Sequence, residues 1–184
     1  MFTHRQRSFV ADVRPLSGTL QFLSVLYNVE RVMEDTWYVI ARESNHYEDH
    51  GHLIGYSAEP RSDVIRLYFR HTERGYVLYV REGRYFGKAI GMNRHGHYGA
   101  FAPDSANVAK FWMFEGEENQ ITGTELTYDE AVITLAEVDG YPVGLSRHKD
   151  TPHIYLGDHY GQGLPLHITL VERNAPYLSN PEEV

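Results

Sequence analysis

Cysteine is absent from this chain of 184 residues. Disulfide staples, thiol nucleophiles, iron–sulfur clusters and thiolate zinc sites are therefore excluded. A staple is also unnecessary, because a chain of this length can bury roughly 70% of its unfolded surface in one domain. Long apolar runs are missing too: nothing reaches the roughly 18 residues of a membrane-spanning helix, and the opening MFTHRQRSF lacks the apolar stretch of a signal peptide. The expectation is a chain that does not insert into membranes and is either cytoplasmic or secreted by an unconventional route. Positive charge is scarce, with 17 Lys plus Arg against 25 Asp plus Glu, a net −8, and no dense basic run. Nucleic acid and heparin-like polyanions are poor partners for such a surface. Catalytic signatures are lacking as well: there is no G-x-S-x-G, phosphate-binding loop, H-E-x-x-H or dinucleotide fingerprint. The paired acids Glu117-Glu118, Asp129-Glu130 and Glu182-Glu183 fall in predicted loops or the tail and read as solvated charge. A non-enzymatic protein without cofactor is expected.

What is present is aromatic and β-favouring, with 14 Tyr and 8 Phe among 42% hydrophobic residues. From about residue 20, twelve short runs rich in Tyr, Val, Ile, Phe and Leu recur between turn residues, from Phe22–Val29 to Leu166–Glu172. Such spacing predicts an all-β sandwich or barrel. The runs group in fours: first runs start at Phe22, Tyr76 and Ala131, and third runs at His52, His97 and His153, a period near 50 residues. His50-Gly51-His52 and His95-Gly96-His97 occupy the same place in successive units.

Gly83-Arg84-Tyr85-Phe86-Gly87, followed by Met92-Asn93-Arg94-His95-Gly96-His97 and Ala109-Lys110-Phe111-Trp112, resembles a fascin or hisactophilin repeat. The stretch from Tyr98 to Glu118 is similar to fibroblast growth factors, and that from Gly140 to Val171 to the last unit of interleukin-one-type cytokines. These segments together resemble the β-trefoil superfamily. The resemblance implies twelve strands in three pseudo-repeats of about 50 residues, a six-stranded barrel closed by three hairpins, since one unit alone cannot bury its apolar face. The implied organisation is an extension over 1–19, a single domain over 20–172 with repeats at about 20–72, 75–116 and 130–172, and a tail over 173–184. The Gln-any-Trp signature of ricin-type lectins and the basic heparin site of growth factors are both absent.

Function is expected to be recognition, read as lectin-like glycan binding at surface loops. Sugar binding needs an aromatic face and a carboxylate or amide beside it. Tyr47 with Asp49 and His50, Asn93 with His95, and Asp158 with His159 and Tyr160 supply those groups at predicted turns. The alternative is a protein-binding trefoil: a cytokine-like ligand, a cytoskeletal binder, or a protease inhibitor presenting the long loop from Glu115 to Asp129. Two histidines on one strand face could share a metal, but solvated turn histidines are favoured and no metal site is expected. His46, His50, His52, His95, His97, His148 and His153 all fall near predicted hairpins, and protonating all 11 histidines would move the charge from −8 to about +3. A pH-sensitive binding surface is the expectation.

Overall fold

The computed structural model describes residues 2–35, 47–116, 118–147 and 151–176. A single helical turn, α1 (His4–Arg7), is closed by a reciprocal Thr3–Gln6 capping box and leads into β1 (Phe9–Pro15). There follow β2 (Thr19–Phe22), a second helical turn α2 (Leu23–Leu26), β3 (Met33–Asp35), β4 (Tyr47–Asp49), β5 (Ile54–Ser57), β6 (Ile65–Thr72), β7 (Gly75–Val80) and a 3-10 turn at Gly83–Tyr85. The remaining strands are β8 (Ala89–Met92), β9 (Tyr98–Phe101), β10 (Phe111–Glu115), β11 (Asn119–Ile121), β12 (Glu130–Glu137), β13 (Val143–Arg147), β14 (Ile154–Asp158) and β15 (Leu166–Arg173).

Six strands close on themselves. β1 pairs with β15, β15 with β12, β12 with β10, β10 with β7 through Phe111 and Tyr76, β7 with β6, and β6 with β1, all antiparallel. Alternation along these strands points Phe9, Ala11 and Val13, Ile65, Leu67 and Phe69, Phe111 and Met113, and Ile133 and Leu135 into one core. The interior is filled by these side chains, leaving an apolar void of only about 30 Å³. Outside the barrel, β8 and β9 extend the sheet from β7. A four-stranded sheet runs in the order β13-β14-β5-β2, and β3 pairs with β4.

The expected β-trefoil of twelve strands in three equivalent repeats is corrected by these pairings. The architecture is a closed six-stranded antiparallel barrel with extra strands, fifteen strands among the described residues. The barrel begins at Phe9, inside the stretch read as an N-terminal extension. The run read as the first strand, Phe22–Val29, instead turns helical at Leu23–Leu26, where Leu23 and Leu26 pack with Leu53 and Tyr155 in a small separate core. Gly55 makes this possible, because a Cβ there would collide with the Leu23 side chain. The outer hairpins are unequal as well: β8–β9 belongs to the barrel sheet, whereas β2–β5 and β13–β14 join in a sheet of their own. The run 37–43, Trp37, His46 and His148 lie outside the described residues. Within 173–184, Ala175 is buried against Val10, Tyr68, Val77 and Tyr79 on the barrel's outer wall, and the Tyr68 hydroxyl donates to the Pro176 carbonyl at 2.8 Å.

Candidate functional site

In two of the three residue groups expected to bind sugar, the side-chain oxygen of Asp49 or Asn93 is engaged by backbone amides. Asp49 uses Oδ1 to accept from the amides of Gly51 at 2.8 Å and Val32 at 3.0 Å. Asn93 Oδ1 accepts from the amides of His95 at 2.9 Å and His97 at 3.0 Å, around a left-handed Gly96 with φ 79°. Both are Asx-type turns, in which the short side chain replaces a backbone partner. Tyr47 opens β4 opposite Asp35, and its side chain lies outside the described part.

The histidines these turns carry gather round Tyr155, which is fully buried on β14. His50 Nδ1 lies 3.0 Å from the Tyr155 hydroxyl, and the His97 ring stacks on the Tyr155 ring with centroids 4.1 Å apart and planes 7° from parallel. His153 stands edge-on to the same ring and takes part in a 2.7 Å hydrogen bond with the Tyr27 hydroxyl. Towards solvent, Glu48 Oε2 lies 3.8 Å from His50 Nε2, 3.9 Å from His95 Nε2 and 3.4 Å from an Arg94 guanidinium nitrogen. Burial of His52 lowers its pKa, against the pull of Asp49 and Glu48. This knot cements three turns together. Among the described residues, no group of three or more His, Asp or Glu side chains could hold a metal ion.

The third group divides. Asp158 is half-buried, donates its amide to the Gly96 carbonyl at 3.0 Å and presses its carboxylate where a Gly96 side chain would stand. Its charge, secondary to burial, helps hold the carboxyl of Glu137 above the ordinary value, and Glu137 accepts from the Tyr98 hydroxyl at 3.3 Å. His159 anchors its amide on the Pro142 carbonyl at 2.9 Å and lays its ring beside Gly144 and Gly161. Tyr160 is 79% exposed, and its ring lies 4.3 Å from that of Tyr141, tilted by 49°. Interaction with the Tyr141 side chain holds Tyr160 above the ordinary tyrosine pKa.

These tyrosines are the chain neighbours of Pro142 and Gly161, which line an open groove of about 520 Å³ on the barrel's outer wall. That volume falls within the range of roughly 300–1,000 Å³ typical of ligand sites. Its floor comes from outward-facing residues of neighbouring strands, Phe114 opposite Thr134 and, further along β12, Val132 and Ala136. Gly161, Gln162, Gly163 and Pro165 wall one side, and Glu118 stands at the β10–β11 turn. Of the residues in and beside this groove, the sequence reading named Tyr160 as a candidate but not Tyr141, Phe114, Val132 or Pro165. Their only advance signal was the Gly161-Gln162-Gly163 loop beside an aromatic, and the groove exists only once β10 and β12 pair.

No family model, curated protein or solved structure matches this chain. The expected trefoil is corrected, because the barrel is not the three-repeat fold, and the word lectin finds no support in any match. The Glu115–Asp129 loop, which the inhibitor alternative would present, contains β11 and is tied down by Gly123 N–H donating to the Tyr76 hydroxyl at 2.8 Å and by Arg173 bonding the carbonyls of Leu126 and Tyr128.

Proposed function

We propose that the protein is a non-catalytic recognition module that binds a segment of a partner protein in the groove beside Tyr141 and Tyr160. The observation that carries this reading is the exposed tyrosine pair beside a groove of ligand size on a rigid barrel wall. Tyrosine offers large contact area for little side-chain entropy, which makes exposed tyrosines favourable binding anchors. Val132, at 44% exposed, and the two prolines add apolar surface that an intervening peptide would cover. A glycan reading is weaker, because the acceptor atoms of Asp49 and Asn93 already serve backbone amides.

Selection of displayed random peptides on the purified protein tests the proposal, with Thr134→Trp as the counter-target. Thr134 faces outward into the groove, so an indole there fills it without entering the core. Peptides enriched on the natural protein and lost on a Thr134→Trp protein of equal melting temperature are expected. Enrichment of none, or equal capture by both proteins, would refute the reading.

A further inference from the structure

We propose that the occupant of this groove is a cationic, extended peptide bearing Arg or Lys side chains, an inference that rests on the recognition reading above. The first argument is the charge of the lining: it includes Glu118 and no Lys or Arg. The second is what surrounds it. Asp158 acts electrostatically on Tyr160. Glu130 is exposed two residues from Val132 on the same face of β12. Arg173 lies 3.0 Å from Asp129 and Arg74 lies 2.6 Å from Asp139, while Arg14 donates to His167 Nδ1 at 3.3 Å. Glu130 has His167 Nε2 at 3.7 Å.

The third argument is the aromatic pair. A guanidinium or ammonium is drawn to the face of a tyrosine ring, and an arginine also stacks on it through its planar fork. Two tilted rings, one of them within the field of the Asp158 carboxylate, are the elements of such a receptor. The chain's net charge of −8 steers a cationic partner toward the protein and repels an acidic one. Proline fits the same groove, because an extended polyproline-type strand docks on surfaces lined by aromatics and prolines at low entropic cost.

The test uses three fluorescein-labelled peptides of about ten residues alternating proline with arginine, glutamine or glutamate, titrated by fluorescence anisotropy against the whole chain. The Arg/Pro peptide is expected to bind at least tenfold more tightly than the Gln/Pro peptide, with the Glu/Pro peptide weakest. Its affinity should fall about tenfold in Tyr160→Ala and several-fold in Glu118→Gln, and the preference should shrink as salt is raised. A Gln/Pro peptide that binds as tightly as Arg/Pro and is lost on Thr134→Trp would overturn the cationic inference while leaving the groove reading standing. Arg/Pro binding that Thr134→Trp and Tyr160→Ala leave unchanged would overturn it by placing the contact elsewhere. If none of the three peptides binds, the inference fails, and the random-peptide selection decides separately whether the groove binds any segment.

Discussion

Acidification should loosen this protein well before its carboxylates protonate, and His71 is the residue to follow. His71 closes β6 against the N-terminal turn, where it is 6% exposed, with His4 Nδ1 2.8 Å from its own Nδ1 and the Tyr76 ring edge-on at 5.1 Å. Burial, helped by the nearby Arg7 and His4, pushes its pKa from 6.5 down to about 4. The folded state therefore favours neutral His71, whereas the unfolded chain binds a proton below pH 6.5. The resulting stability is complete above the unfolded value and is lost as pH falls from about 6.5 towards about 4. The full shift corresponds to about 3 kcal/mol, which screening near the surface reduces to about 1–2 kcal/mol. Urea unfolding of the natural chain and of His71→Gln, at about pH 7.5 and about pH 5, measures it. The natural chain should lose about 1 kcal/mol more over that interval than the variant. Equal losses in the two proteins would refute the assignment.

Three further outcomes follow from the geometry. Tyr155→Phe removes the hydroxyl bonded to His50 Nδ1, and thermal melting should show a loss of about 1–3 kcal/mol, with the His50 ring resonances displaced. Phe111→Ala, at a 1% exposed position where β10 meets β7, should cost about 3–5 kcal/mol in denaturant unfolding, because a large side chain leaves a cavity at the barrel closure. Gly91→Ala should cost about 1–3 kcal/mol and reduce hydrogen-exchange protection at the Met92 amide, since the new Cβ would press on the Asn107 carbonyl that accepts that amide.

Much of the sheet was legible from its apolar, β-favouring runs. The runs at 64–71 and 76–82 correspond to β6 and β7, and those at 131–138 and 166–172 to β12 and β15; inward Leu, Ile and Phe alternate with mostly polar residues in β6 and β15, whereas β7 is apolar and buried on both faces. β1 escaped notice because Asp12 and Arg14 make it look like a polar lead-in. In the structure Asp12 instead meets Arg66 in a two-pronged ion pair, 2.7 and 3.0 Å, across to β6. The helical turn at Leu23–Leu26 is set by tertiary packing on Leu53 and Tyr155, which overrides the strand preference of its residues. Likewise, sequence correctly puts Asp49 and Asn93 in turns but cannot say whether their oxygens face solvent or a backbone amide; both face amides. The groove was least legible, because Phe114 and Thr134 become neighbours only through the β10–β12 register.

The most direct test of the groove is a two-dimensional amide NMR titration of the labelled protein with the Arg/Pro peptide. The account predicts saturable shifts concentrated at 114–118, 132–136, 141–142 and 160–163, with the turns that carry His50, His95 and His97 undisturbed. Shifts centred on those histidine turns, or spread without saturation over the surface, would contradict it.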